Sequence, residues 1–423
     1  MLVLECKAVS KRHQEVAIDE AIRTSQFVRN KVLRYWMDNR DVNKKELYRY
    51  NTRIRAEFKF VKELNSHACQ ASVENVERAI NRFFDNCKKN KPGKKGYPRF
   101  KKNARSVEYK KSGWKLHPSK RRITFTDGKK IGELKLLGKW DIHTYDADSI
   151  KRVRIVKRAD GYYVQFCIKI NNSQQLEPTG NQVGLDVGLE YFYSDNNGNH
   201  IENPRFLRKA EKNIKRSQRR IYKHKKGSNR RRKSRKIYAR KHLKVSRQRT
   251  EFVKKLALAL VQSNDLVAYE DLNVKNMVKN HCLAKSINDA AWYQFRQWIE
   301  YFSDKYGRQY IAVSPHYTSQ ICSNCGAKVK KSLSTRTHKC SCGFELQRDH
   351  NAAINILVKA LKPRCVCDER NADGNTGRKQ ARGGHPQSNA RGVATSTLLG
   401  VQLAACKNLV EQVATLNRES QWL

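Results

Sequence analysis

Acidic residues are scarce in this chain. Its 423 residues include 39 Asp and Glu against 88 Lys and Arg, which gives a formal net charge of +49. This imbalance indicates a polyanionic partner, and nucleic acid is the first candidate because Lys and Arg neutralise phosphates whatever the base sequence. Long apolar runs are also missing, and none approaches the ~20 residues that a membrane-spanning helix needs. No strongly amphipathic basic helix stands alone, so we expect no membrane partner.

Features of secreted proteins are absent as well. The opening MLVLECKAVS has neither the basic region nor the apolar core of a signal peptide. Outside one cluster the twelve cysteines are scattered, which is not typical of a disulfide framework. We therefore expect a reduced, cytoplasmic protein. The length predicts two to four domains, and a hydrophobic fraction of 39% is enough for packed cores.

The one ordered cysteine pattern lies in residues 320–357. Cys322 and Cys325 form a C-x2-C pair, and after fourteen residues Cys340 and Cys342 form a C-x-C pair. Two such thiolate pairs joined by a short loop are typical of a closed tetrahedral zinc site. A knuckle of this size has no core of its own, so we expect its folding energy to come largely from the metal.

The first half of the chain predicts a sheet interrupted by helices. Residues 2–9 alternate as a strand does, whereas residues 15–39 and 66–87 carry apolar side chains at helical spacing. Several strands follow in residues 114–170. We interpret them as a small β-barrel that takes the N-terminal strand as a member.

Two segments are strongly basic. Residues 88–106 form a loop with Pro and Gly that also carries Tyr97 and Phe100. A solvated linker is one interpretation; we favour a nucleic-acid contact, in which basic groups hold phosphates and a ring stacks on a base. Residues 205–249 contain 22 Lys or Arg in 45 positions and one acid, Glu211. Like charges repel along an isolated helix, so we interpret this run as a helix or helical hairpin that lies along a nucleic-acid backbone.

Three acids occupy comparable places in the second half. From residue 183 the order strand, strand, helix, strand, helix, strand, helix predicts an α/β unit with a mixed sheet. Asp186 lies within the first strand, Glu270 ends a later strand and Asp349 opens the last helix. Ligand sites in open α/β sheets gather at such places, so the three acids could converge. Strand-end acids are also common as caps, and the neighbouring Asp271 competes with Glu270 for the role.

A carboxylate cluster without histidine selects magnesium or manganese over zinc. In a strongly basic protein this suggests two-metal hydrolysis of phosphodiesters, with ions ~3.5–4 Å apart.

Four linked motifs resemble the TnpB family, which insertion sequences encode. They are GLDVG, YEDLN, SPHYTSQICSNCG and RDHNAAINI, in this order, and FVRNKVLRYW and GYPRFKK in the first half are also similar to that family. The resemblance extends to about Lys362. TnpB-like proteins are RNA-guided DNA endonucleases related to type V CRISPR effectors, so the resemblance implies this activity.

The resemblance also implies a fold, an α/β multidomain chain. It has an RNase H-like RuvC nuclease domain with a zinc-knuckle insertion, preceded by a wedge β-barrel with an inserted helical recognition domain. The implied ranges are 1–9 for the first wedge strand, 10–112 for the recognition domain, 113–178 for the wedge barrel, 179–315 for the first RuvC part with basic helices at 205–249, 316–344 for the zinc-binding target-nucleic-acid-binding insertion, 345–362 for the last RuvC helix and 363–423 for a disordered tail. In that tail we interpret Cys365 and Cys367 as incidental.

The family's functional residues fall on named positions. The implied catalytic acids and magnesium ligands are Asp186, Glu270 and Asp349, and the implied zinc ligands are Cys322, Cys325, Cys340 and Cys342. The family's second cysteine pair is often C-x2-C, so the C-x-C pair here leaves His338 as a substitute for Cys342. The implied partners are a guide RNA from the element end and double-stranded target DNA, bound by a monomer close to the nucleoid.

Three other functions stay open at this point. One is an RNA-guided binding protein that does not cut, against which the three intact acids argue. Another is a DNA transposase or transposition accessory protein, although nothing in the chain identifies a module that holds transposon ends. The last is a miniature CRISPR-associated effector, which the chain itself does not distinguish from a transposon-encoded one.

Overall fold

The structure is a computed structural model that describes residues 2–138, 142, 145–169, 175–332 and 335–362. The predicted disordered tail, with Cys365 and Cys367, lies outside these described residues. The chain divides into two units. The first unit comprises the described residues of Met1–Asn172 and Asn213–Leu243, and the second unit comprises those of Ser173–Lys212 and Lys244–Leu423.

The first unit combines an antiparallel sheet with helices. Its strands are β1 (Leu2–Val9), β2 (Ser106–Tyr109), β3 (Trp114–Leu116), β4 (Arg122–Phe125), β5 (Gly132–Leu137), β6 (Ile150–Arg158) and β7 (Gly161–Ile168). Its helices before residue 100 are α1 (Arg12–Asp38), α2 (Lys44–Glu57), α3 (Lys59–Lys62) and α4 (Ser66–Lys88). The strand order is β2-β6-β7-β1-β5-β4-β3.

The N-terminal strand lies in the interior of this sheet. β1 pairs antiparallel with β7, where Leu4 faces Phe166, and with β5, where Ala8 faces Leu136. Its alternate side chains, including Leu4 and Ala8, are buried in the core. These pairings confirm that the first strand joins strands found much later in the chain. β2, which falls within the range 10–112 expected to be helical, is also part of this sheet.

Helical periodicity explains how α1 and α4 cover the core. Ile18 and Val32 of α1 and Val73 and Val76 of α4 are fully buried, and the two helices pack against each other. The predictions of helices near residues 15–39 and 66–87 are confirmed. α2 was not predicted, because its sequence, KKELYRYNTRIRAE, buries few apolar side chains.

The second unit contains a mixed five-stranded sheet. Its strands are β8 (Gln182–Val187), β9 (Tyr191–Asp195), β10 (His200–Glu202), β11 (Leu266–Glu270) and β12 (Gln309–Val313), in the order β10-β9-β8-β11-β12. β8, β11 and β12 are parallel, whereas β9 is antiparallel to β8 and β10 to β9. From residue 274 onward this unit also contains α7 (Val274–Met277), α8 (His281–Ala290), α9 (Trp292–Tyr306), a small hairpin of β13 (Thr337–Lys339) and β14 (Glu345–Gln347), and α10 (Arg348–Leu361).

The basic run 205–249 forms two helices, α5 (Phe206–Tyr222) and α6 (Asn229–Ser263). Its Lys and Arg side chains are mostly exposed. α6 continues beyond the basic run to Ser263, because no Gly or Pro interrupts residues 229–263. Among the helices of the described ranges, none is long and apolar enough to cross a membrane.

Candidate functional site

Two of the three predicted acids lie side by side on adjacent parallel strands. β8 and β11 pair with Leu185 opposite Tyr269, so the next residues, Asp186 and Glu270, occupy neighbouring positions. Both side chains are half-buried. This is the carboxyl end of the parallel strands, where α/β sheets place their ligands.

A glycine lets the last helix bring the third acid close. α10 packs on β8, and an added Cβ at Gly184 would lie 2.4 Å from the backbone oxygen of Ala353. Only a residue without a side chain permits this approach. Asp349 lies in the first turn of α10 and is 9% exposed, and Arg348 Nε donates to its Oδ1 at 2.9 Å.

The tight contact at Gly184 predicts a stability effect. We expect Gly184→Ala to lower the free energy of unfolding by about 1–3 kcal/mol, because an overpacked interior must shift to accept the methyl group. Urea denaturation followed by tryptophan fluorescence measures this change. Gly138→Ala is the matched control, since its Cβ would meet Cys6 Sγ at an ordinary 3.5 Å. Equal midpoints for the two variants would contradict the prediction.

Burial is the main cause that raises the pKa values of two of the acids. The pKa of Asp186 is raised well above its usual value, first by burial and then by the charges of Glu270 and Asp349, while Arg348 opposes the shift. Burial also raises the pKa of Glu270, against the effects of a hydrogen bond from Thr318 and the charge of Lys359. A bound cation would therefore stabilise the ionised forms of these carboxyl groups.

The three carboxylates suit a metal ion by their chemistry, although their oxygen atoms are not close enough together to hold a single ion. Within the described part of the chain, the four cysteines alone are close enough together to hold one ion as they stand, and the three carboxylates form no such group. Two hard ions ~3.5–4 Å apart, however, need carboxylates spread around them. Carboxylate oxygens are the ligands that magnesium takes in proteins.

Polar residues behind the acids were missed at the sequence level. Thr318 Oγ1 donates to Glu270 Oε1 at 2.6 Å. Asn355 Nδ2 donates to the backbone oxygens of Thr318 at 2.9 Å and of Ile321 at 2.7 Å. Asn351, which is fully buried, donates to the same Ile321 oxygen and accepts from Ser323 N. The available signal was two asparagines on the apolar face of RDHNAAINI.

The structure separates Glu270 from its competitor. Asp271 is exposed and forms an ion pair with Arg296, which also binds Glu300. Glu270 instead contributes to the raised pKa of Asp186. The geometry therefore favours Glu270 as the third member of the acidic group.

The four predicted cysteines come together. Their Sγ atoms lie within 4.8 Å of one another, with 3.8 Å between Cys322 and Cys342 and 3.5 Å between Cys325 and Cys340. A tetrahedral zinc site with Zn–S bonds of 2.3 Å has sulfur–sulfur edges of ~3.8 Å, so this set fits zinc.

A tight turn follows the first cysteine of each pair and orients the pair towards the cluster. Gly326 N donates to Cys322 O at 2.9 Å and Gly343 N donates to Cys340 O at 3.0 Å, and both glycines have positive φ. His338, the alternative ligand, is fully buried outside the cluster, with Nδ1 hydrogen-bonded to Lys331. Cys342 therefore completes the group.

Family profiles match two parts of the chain. A family described as "Probable transposase" (OrfB_IS605) matches residues 165–281, and one described as "Cas12f1-like, TNB domain" matches residues 292–356. Among solved structures, a cryo-EM structure of a Cas12f1–sgRNA–target DNA complex aligns with 81% of this chain and 81% of its own, at 15% identity and a TM-score of 0.48.

Curated relatives extend over most of the chain. InsQ of Escherichia coli K12, a "Putative RNA-guided DNA endonuclease", is 27% identical over 71% of this chain and 76% of its own. The "TnpB-like protein L79" of Acanthamoeba polyphaga mimivirus is 28% identical over 52% of this chain and 43% of its own. A "Putative RNA-guided DNA endonuclease" of Streptomyces pristinaespiralis is 30% identical over 72% of this chain and 74% of its own. The chain therefore belongs to the family of TnpB-like proteins, in which the Streptomyces and Escherichia coli relatives are each described as a "Putative RNA-guided DNA endonuclease".

Proposed function

We propose that this protein is an RNA-guided DNA endonuclease. It binds a guide RNA from the end of its element and hydrolyses phosphodiesters of the paired target DNA, as a monomer in the cytoplasm beside the nucleoid. Base pairing supplies the sequence specificity, and the basic surfaces follow backbone and shape. The proposal is supported by the neighbouring positions of Asp186 and Glu270 on paired strands, and by the charges of Glu270 and Asp349 that act on Asp186, in a chain of this family.

We propose a RuvC-type, RNase H-like fold for the second unit. The supporting observation is the strand order β10-β9-β8-β11-β12, in which three parallel strands adjoin an antiparallel pair. The sequence ranges given above for the wedge, recognition, nuclease and zinc-binding parts are retained as proposals.

The acids and their neighbours have distinct roles in the proposed reaction. Asp186, Glu270 and Asp349 hold magnesium, which when bound activates the attacking water and stabilises the leaving oxygen. Thr318 holds the Glu270 carboxylate by its 2.6 Å hydrogen bond, and Arg348 orients Asp349. The charge of Lys359 favours the ionised form of Glu270, against the burial that raises the pKa of this carboxyl group.

The four cysteines hold a structural zinc in this proposal. A closed set of four thiolates leaves no open position for a substrate, so its role is to fold the knuckle. The knuckle then contributes to binding of the target nucleic acid.

Sequencing of co-purifying RNA tests the proposed function. The protein is expressed with its native flanking DNA, and we expect one discrete RNA that ends at the element boundary. That RNA should direct magnesium-dependent cleavage of a matching duplex. Heterogeneous RNA that moderate salt removes would overturn the proposal. It would show that the net charge of +49 binds polyanions without specificity.

The cleavage assay also distinguishes the proposed endonuclease from a second candidate function, that of a transposase. The "Probable transposase" description of one matching family favours it. A transposase would join element ends to target DNA without a guide, whereas the proposed endonuclease releases cut ends and needs the guide.

A further inference from the structure

A basic loop of the first unit is held in a defined shape although it contains no regular structure. Residues 97–105, called here the clamped loop, follow a Pro- and Gly-containing stretch and lead into β2. The wider segment 88–106 carries nine Lys or Arg and no acid. A loop of this composition would normally be mobile, so its contacts matter.

Two amide side chains of α1 hold the backbone of the clamped loop. Asn30 Nδ2 donates to Lys101 O at 2.9 Å, and Lys101 N donates back to Asn30 Oδ1 at 2.9 Å. One helical turn earlier, Gln26 Nε2 donates to Lys102 O at 3.2 Å and its Oε1 accepts from Ala104 N at 2.6 Å. Each amide therefore replaces the donor and acceptor of a neighbouring strand.

Positive charge is crowded around this backbone without compensation. Within the described residues, none of the nine Lys and Arg of segment 88–106 takes part in an ion pair with an acid. The pKa of Lys101 is lowered by burial and by the charges of Arg29 and Arg154. Such crowding costs stability in the isolated protein and is relieved by an external polyanion.

Exposed aromatic rings lie among these charges. Tyr97 is 52% exposed, and its ring packs against Phe83 and Trp36. Phe100 is 44% exposed and, among the described residues, contacts no other ring. An apolar ring held open to solvent between cations is suited to stacking on an unpaired base.

We propose that the clamped loop is a preorganised surface for single-stranded nucleic acid, on which Phe100 stacks a base, Arg99, Lys101 and Lys102 hold the flanking phosphates, and Gln26 and Asn30 act as positioning residues. The amide hydrogen bonds fix the loop before binding, so less conformational entropy is lost on association. The inference rests on the proposed function only for the strand's origin, which is the guide RNA or the opened target DNA.

The chemistry favours nucleic acid over a protein or a membrane. Apart from Ala104 and prolines, segment 88–106 offers no aliphatic side chain that a protein groove or acyl chains would bury. Every base has an aromatic face, and its phosphates complement the nine cations. Stacking and phosphate contacts also differ in salt dependence, which makes them separable by experiment.

The test measures binding of the full-length protein to labelled single-stranded RNA and DNA of one sequence. Oligonucleotides of about 20 nucleotides exceed the site sizes of such surfaces. Fluorescence anisotropy is recorded between about 50 and 200 mM salt. We expect Phe100→Ala to weaken binding about 5- to 150-fold at every salt concentration, and Phe100→Trp to retain it. Lys101→Ala should instead reduce the salt slope by about 0.7–0.9.

A double-mutant cycle tests the positioning role. Asn30→Ala alone should weaken binding, but it should add little to Phe100→Ala, because Asn30 holds the loop that positions the ring and has no stacking contact to support once the ring is removed. Additive effects would mean that Asn30 does not act through Phe100. Tyr293→Ala, which removes a 60% exposed ring of the second unit, is the matched control and should leave affinity unchanged.

Comparison of the RNA and DNA measurements identifies which strand the clamped loop binds. A loss confined to RNA assigns the surface to the guide, and one confined to DNA assigns it to the opened target. If Phe100→Ala binds both strands within about twofold of the wild type, the proposed surface is wrong while the proposed function stands. If the wild type binds neither strand, the proposed surface is also wrong, and the proposed function is still decided by the co-purifying RNA.

Discussion

Asp186→Asn is expected to abolish guided DNA cleavage while the guide RNA stays bound. Asn is almost the same size but cannot supply the anionic oxygen that the proposed metal site needs. Metal ions contribute several kcal/mol to such reactions, so we expect the rate to fall by about 10³-fold or more. Single-turnover cleavage with excess magnesium measures the loss, and gel-shift titration measures RNA affinity.

The same variant separates catalysis from folding. Burial, together with the charges of Glu270 and Asp349, raises the pKa of Asp186, so its ionised form is costly in the metal-free protein and a neutral Asn avoids that cost. We therefore expect its unfolding midpoint to equal or exceed that of the wild type. A catalytic loss with intact stability cannot result from misfolding.

Asp271→Asn is the matched control for this experiment. Asp271 follows Glu270 directly but is exposed and paired with Arg296. A surface ion pair contributes only about 0–1 kcal/mol, so cleavage should stay within a few fold of the wild type. The opposite result, with cleavage lost in Asp271→Asn and kept in Asp186→Asn, would show that the acidic group is wrongly assigned.

The position of the acids was predictable because strands and helices limit where acids can meet. Asp186 interrupts an apolar strand and Glu270 ends one, and these are costly places for unpaired charge. Parallel pairing of β8 and β11 then places them side by side. What the pattern did not contain is the distance from β8 to α10, which depends on Gly184 meeting Ala353. A single glycine in a strand has many explanations, so only the packing of α10 on β8 identifies this one.

The hydrogen bonds of the asparagine side chains could not be predicted from the sequence either. Asn355 bridges Thr318 and Ile321, and Asn30 holds Lys101, across 37 and 71 residues of sequence respectively. Hydrogen bonds between a side chain and a distant backbone leave no periodic signal, unlike apolar faces. The membership of β1 in the first sheet was predictable, because an alternating strand must pair somewhere. α2 was not, since its few buried side chains give a weak pattern.

Cys342→Ser is expected to remove the proposed zinc and unfold the knuckle. Among the described residues between 314 and 348, only Thr318, Cys322 and His338 are buried, so the segment has almost no core. Binding of structural zinc contributes about 10–16 kcal/mol in comparable small domains, which makes the metal the main source of folding energy here. Zinc content measured by mass spectrometry should fall from about one per chain to near zero.

Unfolding of the knuckle should also disturb the acidic group, because α10 contacts both. Asn351 and Asn355 join this helix to Ile321 and Ser323 on either side of Cys322, and Asn355 also holds Thr318, which donates to Glu270. An unfolded knuckle releases these anchors, so we expect cleavage to fall by about 10- to 100-fold, as when supporting residues of a metal site are lost. His338→Gln is the matched control, because His338 lies outside the cluster. Retained zinc in Cys342→Ser with lost zinc in His338→Gln would make His338 the fourth ligand.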